Sequence, residues 1–431
     1  MFTRTLLFMA IPIAIQTLLF SSKSFVDTLL LAEVSMEAVS ATGIIGRVML
    51  VAIITLLGVS TGGGYVAAQC AQDTGKLNSA TLTTFVISLA LCALIVFGLL
   101  LFDGAVIAMF SQSAVVQQQA GLYLDIVLWS LPLLCFSSVA ASYLRIAGYS
   151  NWVSGIISLG VLINLAVSAV LIYDYGQGIE GAAYGTLVGG VFEVLALGVF
   201  LLIKGINPCR SVFFSRRQFA LIREQIVTAT SSGLVWSLGA FLFYSFLGRS
   251  SPQALHAISI IIPIESLLLS LTMGIATASS ILIGKAIPHE PRTHINSKSV
   301  SAILLCIGCV TLIVLLFSLF RDSVVGYFSP EHNSQVLNDF VTLMLIGVVI
   351  KSLSIQTMNG VIRSGGDGQF CMKLDIVMQW LIIIPSSFVM LKLGYSALHI
   401  YMLVLVEEAV KAVVSLYRFK SGKWCRNLSL A

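Results

Sequence analysis

Charged residues are scarce in this chain: aspartate, glutamate, lysine and arginine together make up 10% of its 431 residues. A soluble domain carries roughly 25% of them. Hydrophobic side chains account for 58% of the sequence, and so few charges cannot keep a surface of that composition hydrated. The scarcity therefore excludes a water-soluble globular protein and indicates that most of the chain is surrounded by lipid.

Catalytic and nucleotide-binding motifs in a suitable context are also missing. The sequence contains no HExxH and no Walker phosphate loop, which are patterns of zinc proteases and P-loop ATPases. Its one GxSxG, Gly58 to Gly62, lies inside a long apolar run and not at the strand-to-helix turn that serine hydrolases use. Its five histidines form no cluster, and the only CxxC, Cys306 to Cys309, lies in an apolar stretch without further ligands. We therefore expect no enzymatic activity, no metal site and no cofactor, and we interpret the cysteines as small packing residues.

Apolar runs long enough to cross a bilayer recur along the whole chain. A helix needs ~20 residues to span the hydrocarbon core, and it pairs every backbone polar group within its own segment. Because the first run contains Lys23 and Asp27 and lacks a small-residue cleavage site, we expect it to be a retained span and not a signal peptide. The sequence predicts an all-α integral membrane protein with twelve transmembrane helices, at residues 5–31, 41–71, 79–102, 115–144, 151–173, 180–203, 226–248, 255–286, 299–320, 336–361, 372–391 and 397–418.

Lysine and arginine are distributed unevenly between the loops. With both termini in the cytoplasm, eighteen of the 24 lie on the cytoplasmic side, four lie on the opposite side, and Lys23 and Lys351 lie within spans. This positive-inside bias predicts that orientation, in a bacterial inner membrane. The basic run from Lys204 to Arg223 is typical of a cytoplasmic loop near anionic lipid, and we expect no nucleic-acid partner.

The two halves of the chain resemble each other weakly. Gly58-Val-Ser-Thr61 recurs 216 residues later as Gly274-Ile-Ala-Thr277, and Leu144-Arg-Ile-Ala-Gly148 recurs as Ile362-Arg-Ser-Gly-Gly366. Six helices in each half give both halves the same orientation, so the repeat is parallel and its pseudo-twofold axis runs along the membrane normal. Internal repeats of this kind are typical of transporters.

The longest predicted cytoplasmic loop separates the two halves. We predict an N-terminal six-helix lobe at 1–203, an interlobe loop at 204–225 and a C-terminal six-helix lobe with a short basic tail at 226–431. Gly178 precedes the sixth span as Gly394 precedes the twelfth, which supports this division.

One face of the first span is polar. Pro12, Gln16, Lys23 and Asp27 fall within an arc of about 60° on a helix, and Pro12 removes a backbone hydrogen bond and permits a bend there. A charge at the bilayer centre costs ~2.5–3.5 kcal/mol by insertion scales, so a retained acid indicates a role. We predict that Asp27 is functional; the alternative is that Lys23 and Asp27 only neutralise each other as a structural pair.

Further polar residues lie on the fifth and sixth spans. Asn164 and Ser168 are one helical turn apart, and Thr186 and Glu193 share a face of the next span. Structural hydrogen bonds between helices explain Asn164, Ser168 and Thr186 equally well on this pattern alone. Glu193 is costlier to bury, and we regard it as a candidate first-lobe acid.

The second half has its own charges within predicted spans. Glu265 and Lys351 have opposite signs and no partner nearby in sequence, so they are candidates for an ion pair across that half. Asp375 is a third candidate charge site. Glu407 and Lys411 form a favourable i, i+4 pair, which we interpret as structural.

These residues, taken in order, resemble the MATE family of multidrug and toxin extrusion transporters over nearly the whole chain. The motifs that carry the likeness are Ile11-Pro12 followed by Val26-Asp27-Thr28, Leu144-Arg-Ile-Ala-Gly148 before a helix with Asn164, Gly178-Ile-Glu-Gly-Ala-Ala183, and Arg363-Ser-Gly-Gly-Asp367. The resemblance implies a monomeric antiporter that exports bulky amphipathic cations by alternating access through a cavity between two lobes, with Pro12, Gln16 and Lys23 at the helix-1 bend and cavity.

The resemblance also implies which residues bind the coupling ion. Members carry an acid on the first helix, where Asp27 stands, and a site to which Asn164 and Thr186 correspond. Ser168 replaces a second aspartate of that site, which removes one negative charge. Because Gly239 and a serine near Lys351 occupy the positions of the acids in the sodium-coupled branch, the resemblance favours H⁺ as coupling ion, with Na⁺ at Asp27 and Asn164 as the alternative.

Two other functions stay open at this point. A lipid-linked sugar flippase of the same superfamily is the nearest, but such proteins usually have about fourteen helices and a basic interior. A channel is the other, since sequence alone does not separate it from a transporter.

Overall fold

The computed structural model describes residues 2–110, 113–208, 210, 215–328 and 334–429, and all regular secondary structure in those ranges is helical. The predicted all-α fold class is thus confirmed. The first half of the chain contains seven helices: α1 Phe2–Ala32, α2 Met36–Gln69, α3 Thr74–Ala108, α4 Ala114–Val127, α5 Ser130–Ile146, α6 Ser150–Tyr173 and α7 Gly178–Ile203.

The second half continues with eight helices, three of which border wider or tighter turns. A π-helical segment, Gln356–Ile362, and a 3₁₀ turn, Arg363–Gly365, extend α12, while a second π-helical segment, Val377–Ile383, joins α13 to α14. The helices are α8 Arg216–Gly248, α9 Pro252–Ala286, α10 Arg292–Ser318, α11 Arg321–Phe328, α12 Ser334–Ile355, α13 Gly368–Ile376, α14 Ile384–Lys392 and α15 Ala397–Ser421.

Ten helical segments of the described residues are long and apolar enough to cross a membrane, and the pair α4 and α5 makes eleven if it is one span. The twelfth predicted span corresponds to α15, which has Glu407, Glu408 and Lys411 in its central turns.

The predicted fourth span, 115–144, is broken in the structure. Its helices α4 and α5 meet at an angle of 41°. Pro132 lies in the first turn of α5, and because proline has no backbone N–H it cannot donate to the carbonyl four residues earlier, at Leu128. Pro12 and Pro263, in contrast, lie inside α1 and α9 without ending them.

The glycines matched in the sequence repeat share a backbone conformation. Gly148 and Gly366 have φ of 99° and 80°, and Gly178 and Gly394 have φ of 53° and 75°. These left-handed values favour glycine, because a Cβ atom is strained there. The same chain reversals therefore follow the fourth span and precede the sixth span of each half, which supports the internal repeat.

The described chain forms two compact units, which we call the first-half unit, residues 19–230, and the second-half unit, residues 2–18 and 231–429. Each has its own buried apolar cluster: one includes Ile45, Leu56 and Leu131, and the other is centred on Trp424. The units differ from the predicted lobes at two segments, residues 2–18 and 226–230.

The repeated glycines of the second span in each half lie where these two segments pack. In the first-half unit, a Cβ on Gly58 would lie 2.7 Å from the Cα of Thr230 on α8. In the second-half unit, a Cβ on Gly274 would lie 2.6 Å from the carbonyl oxygen of Ala10 on α1. Small residues let two helix backbones approach this closely, so the repeat motif has a packing role in both units.

Substituting alanine for Gly58 or Gly274 is expected to destabilise the protein. Each new methyl group would meet backbone atoms that cannot move aside, and overpacking of this kind costs about 1–3 kcal/mol. Thermal unfolding of the purified protein in detergent measures the effect. The matched control is Gly43→Ala on α2, where no atom lies within 4 Å of the added Cβ; an equal loss in all three variants would contradict the packing role.

Candidate functional site

The two charges predicted on the first span form an ion pair in the first-half unit. Lys23 Nζ lies 3.1 Å from Asp27 Oδ2, and their side chains are 19% and 16% exposed. The other oxygen, Asp27 Oδ1, is buried and accepts no hydrogen bond from any described residue. One carboxylate oxygen thus contacts the ammonium, and the other has no hydrogen-bond donor among the described residues and is available to a proton or a cation.

Thr186 and Tyr123 complete the surroundings of this pair. Lys23 Nζ donates a hydrogen bond to Thr186 Oγ1 over 3.2 Å, and the Thr186 hydroxyl donates to the carbonyl of Ala182, also over 3.2 Å. The Tyr123 hydroxyl forms a hydrogen bond with Thr186 and lies within electrostatic reach of Asp27. Sequence reasoning did not find Tyr123, because a tyrosine on α4 carries no spacing signal that connects it with α1.

Asn164 and Ser168 lie on α6, where that helix packs closely against α7. Asn164 is 2% exposed and Ser168 is fully buried, and neither side chain has a hydrogen-bond partner in the described part of the chain. The helices approach closely because α7 presents glycines: a Cβ on Gly185 would overlap Ser168 Oγ, and one on Gly189 would lie 2.9 Å from Asn164 Cβ. Lys23 therefore connects Thr186 to Asp27, whereas Asn164 and Ser168 form no hydrogen bond with that carboxylate.

Glu193, the other candidate acid of the first half, lies two turns beyond Thr186 on α7. It is half-buried, contacts Gly160 on α6, and forms a hydrogen bond with Ser137 on α5. Lys23 is near enough to interact with it electrostatically. The lysine thus lies in the field of two acids, Asp27 and Glu193, although among the described residues it forms an ion pair with the first alone.

In the second-half unit, Glu265 and Lys351 pair directly. Glu265 Oε1 lies 2.5 Å from Lys351 Nζ, and the side chains are 7% and 13% exposed. The pair joins α9 to α12 across 86 positions of sequence. Their opposite signs suggested this pair in the sequence, and the structure shows it.

Asp375 lies in a second group of ion pairs, on α13. Its two carboxylate oxygens lie 3.3 Å from Arg363 Nη2 and 3.4 Å from Lys411 Nζ. Lys411 also pairs with Glu407 at 2.6 Å, which confirms the i, i+4 pair expected on the last helix. Three helical segments are therefore connected by buried charge.

Gly239 and Ser352, the two positions predicted to lack second-lobe acids, have neutral neighbours in the structure. Gly239 on α8 lies against the side chain of Gln379, whose amide donates to the carbonyl of Trp236 over 3.1 Å. Ser352 shares a 2.7 Å hydrogen bond with Thr272, and both are fully buried. Neither place supplies the anionic oxygen that Na⁺ would need there.

Metal-ligating and disulfide-forming groups are not assembled elsewhere in the described ranges. Within them no three His, Cys, Asp or Glu side chains could together hold a metal ion, and every described cysteine is free. In the loop after α2, burial raises the pKa of the Cys70 thiol to about 11, which makes it a poor nucleophile at neutral pH. The packing interpretation of the cysteines agrees with these observations.

Comparison with known families finds one matching model across both halves of the chain. The MatE family model matches residues 12–170 and 228–389. The two matched ranges cover α1 to α6 and most of α8 to α14, so the family pattern occurs once in each half.

Similar proteins match over nearly their full length. An uncharacterized transporter of Bacillus subtilis, YisQ, is 20% identical over 96% of this chain and 93% of its own. The probable multidrug resistance protein NorM of Thermotoga maritima is 23% identical over 98% and 93%. Among solved structures, an outward-facing MATE family multidrug transporter of the MOP superfamily has a TM-score of 0.88 at 19% identity, over 98% of this chain and 96% of its own; this shows that the chain has the same twelve-helix fold.

Proposed function

The chain belongs to the MATE family of transporters, and we propose that it exports amphipathic organic cations in exchange for protons by alternating access. The observation that supports the exchange is the carboxylate of Asp27, which pairs with Lys23 through one oxygen and keeps the other buried and without a hydrogen bond from any described residue. The relative named for multidrug resistance, NorM of Thermotoga maritima, supports drug-like small molecules as substrates, and the acid at Asp27 favours cationic ones among them.

Protons and cations compete for the same charge in this proposal. With Asp27 ionised, the pair with Lys23 is neutral overall, and an approaching cation is not repelled. When Asp27 binds a proton it loses its charge, and Lys23 is left positive in a site of low dielectric, which disfavours a second cation. Substrate and proton therefore exclude one another, as an exchanger requires.

The proton also changes what helix α1 can do. Without the ion pair, the Lys23 ammonium is held by neutral partners alone. One of them is Thr186, to which it already donates a hydrogen bond. Pro12 lies three turns earlier on the same helix, where the missing backbone hydrogen bond allows a bend. Protonation on the more acidic outer side would thus bend α1 and release the substrate, and loss of the proton to the cytoplasm would restore the site.

H⁺ is favoured over Na⁺ by the ligand set. Na⁺, like other hard cations, binds several oxygen atoms. Among the residues that the resemblance assigns to the coupling ion, Asp27 is the one acid, because Ser168 stands where relatives have a second aspartate. The other acid nearby, Glu193, forms a hydrogen bond with Ser137. Asn164 and Ser168 form no bond to Asp27 in the described chain. A proton needs only the single free oxygen of Asp27.

Separately imposed ion gradients test the proposal. In proteoliposomes that contain the purified protein and ethidium, an imposed proton gradient is expected to drive dye movement against its concentration, because one pH unit is worth about 1.36 kcal/mol per proton exchanged. A sodium gradient of the same size at uniform pH is expected to drive none. Dye accumulation with sodium and not with protons would contradict proton exchange.

The proposed cellular setting follows from charge. The multi-pass helical structure and the bacterial relatives support a bacterial inner membrane, and the excess of basic residues in alternate loops supports cytoplasmic termini. Cysteine labelling at Glu33, in the α1–α2 loop, and at Ser421, at the end of α15, would report which side of the membrane each of them faces.

A further inference from the structure

The second-half unit contains a group of buried charged side chains in which the acids outnumber the bases. Ion pairs and close electrostatic contacts connect seven acidic and basic side chains, which we call the charge chain. The charge chain consists of Glu265 on α9, Lys351 on α12, Arg363 in the 3₁₀ turn, Asp375 on α13, and Glu407, Glu408 and Lys411 on α15. Four are acids and three are bases, so one carboxyl is in excess.

Three of the four acids have a basic partner. Glu265 pairs with Lys351, and Glu407 pairs with Lys411. Asp375 lies between Lys411 and Arg363. Glu408 alone forms no ion pair with any described residue, although it is only 7% exposed. The excess carboxyl of the charge chain is therefore Glu408.

The surroundings of Glu408 are polar and contain charges of both signs. Its carboxyl forms a hydrogen bond with Ser354, which lies one turn after Lys351 on α12. Lys351 and Lys411 reach it electrostatically from two sides, and Glu407 repels it from the next position along α15. Among the described segments that pack on α15, the remaining charges of the charge chain, Asp375 and Arg363, are already paired with each other.

The backbone beside Glu408 is irregular. The π-helical segment Gln356–Ile362 begins two residues after Ser354 and packs against α15. Such segments occur often at functional sites. Within it, Gln356 Nε2 donates to Ser279, while Gln356 Oε1 is buried and has no hydrogen-bond partner among the described residues. The π-helical segment that packs against α15, the helix of Glu408, thus contains an unpaired polar atom.

Charge balance decides where a proton resides. An unpaired carboxylate is unfavourable in a protein interior, and a buried acid without an ion-pair partner binds a proton instead. Protonating Glu265, Glu407 or Asp375 would leave a lysine or arginine uncompensated, whereas protonating Glu408 leaves every ion pair intact and makes the charge chain neutral.

We propose that Glu408 is a second proton-binding carboxyl of this transporter, in a different unit from Asp27, and that two protons are exchanged for each cation. The proposal rests on the proton exchange proposed above. When Glu408 gives up its proton, its carboxylate competes with Glu265 for Lys351 and with Glu407 for Lys411. The charge of Glu408 therefore determines whether Lys351 stabilises the contact of α12 with α9 or with α15. Lys411 connects it through Asp375 to Arg363, which the charge distribution of the sequence places at the cytoplasmic end.

The number of protons exchanged gives the test. Ethidium is allowed to reach its limiting concentration ratio in proteoliposomes under proton gradients of several sizes, with the membrane potential clamped at zero by potassium and valinomycin. Two protons per monovalent dye predict about a hundredfold ratio for each pH unit, and one proton predicts about tenfold. We expect about hundredfold for the wild type and for the exposed control Glu37→Gln, and about tenfold for Glu408→Gln.

The outcomes separate the two proposals. A wild-type dye ratio that does not change with the size of the proton gradient contradicts proton exchange itself. A ratio of about tenfold per pH unit in the wild type, or about hundredfold in Glu408→Gln, leaves proton exchange standing and overturns the role of Glu408.

A second measurement decides the matter if Glu408→Gln does not transport. The infrared difference spectrum of the purified protein with and without ethidium is expected to show loss of a carboxylic-acid C=O band in the wild type. Asp27 and Glu408 both release protons on dye binding in this proposal. The component of the band that belongs to Glu408 should therefore be absent in Glu408→Gln and present, slightly shifted, in Glu408→Asp, while the component of Asp27 remains in both. An identical difference spectrum in wild type and Glu408→Gln would overturn the proposal.

Discussion

Asp27→Asn is expected to abolish uphill transport of ethidium. In proteoliposomes under a gradient of one pH unit, the wild type should hold a dye ratio of at least about tenfold, because each exchanged proton contributes about 1.36 kcal/mol per pH unit. Asparagine neither binds nor releases a proton in this range. Because the dye and the proton exclude one another at Asp27, Glu408 alone does not couple the two movements, and the ratio should fall to about one. The loss should occur without loss of folding, which size-exclusion chromatography in detergent checks, and Glu37→Gln should behave as the wild type.

This variant alone does not distinguish coupling from structure. The substitution Asp27→Asn would leave Lys23 as a buried charge without its partner, and an orphaned ion of a buried pair destabilises a protein by several kcal/mol. A transport defect could then follow from distortion around Thr186, to which Lys23 donates. Neutralising both members of the pair removes that ambiguity, since Lys23→Gln/Asp27→Asn contains no uncompensated charge.

Lys351→Met is expected to be the most destabilising single substitution in the second-half unit. Glu265 would lose the only ion-pair partner that it has among the described residues, and breaking one side of a buried pair costs about 3–5 kcal/mol. The loss should grow as pH rises, because the orphaned carboxyl must hold a proton to stay buried. Thermal unfolding in detergent at several pH values measures both effects.

The double variant Glu265→Gln/Lys351→Met serves as the control. With both charges gone the desolvation penalty also disappears, and most of the stability should return, as in a double-mutant cycle with a large coupling term. Losses that simply add in the double variant would show that the two side chains do not act as a pair.

Much of the fold could be predicted from sequence because lipid leaves few alternatives. Long apolar runs become helices, and the glycine of each repeated turn, such as Gly148 and Gly366, has the same left-handed conformation in both halves. The break between α4 and α5 was missed, although Pro132 is visible in the sequence, because a single proline often lies inside an unbroken helix, as Pro12 does in α1.

The exchange of helix ends between halves was not predictable. Hydropathy locates α1 and α8 but says nothing about their neighbours. Residues 2–18 pack with the second-half unit, and residues 216–230 pack with the first-half unit. The repeated Gly58 and Gly274 mark these contacts, yet a repeated glycine indicates only that something lies close, and does not identify the partner.

The candidate site was predicted in part for a related reason. Lys23 and Asp27 are four residues apart, so helix geometry alone puts them on one face. Glu265 and Lys351 lie 86 positions apart, and sequence suggested their pairing only by opposite sign. Tyr123 has no such signal. Glu408 stands beside the i, i+4 pair of Glu407 and Lys411, and only the three-dimensional arrangement of partners shows that it is the unpaired acid of the charge chain.

Proton exchange at Asp27 is tested most directly by ethidium-driven proton flux in proteoliposomes that contain Lys23→Gln/Asp27→Asn. The double variant is expected to fold and to bind the dye. An inward dye gradient should move no protons in it, because the proton at Glu408 is exchanged only when dye and proton also compete at Asp27. Proton flux at the wild-type rate in this variant would contradict coupling through Asp27 and would leave the Lys23–Asp27 pair with a structural role alone.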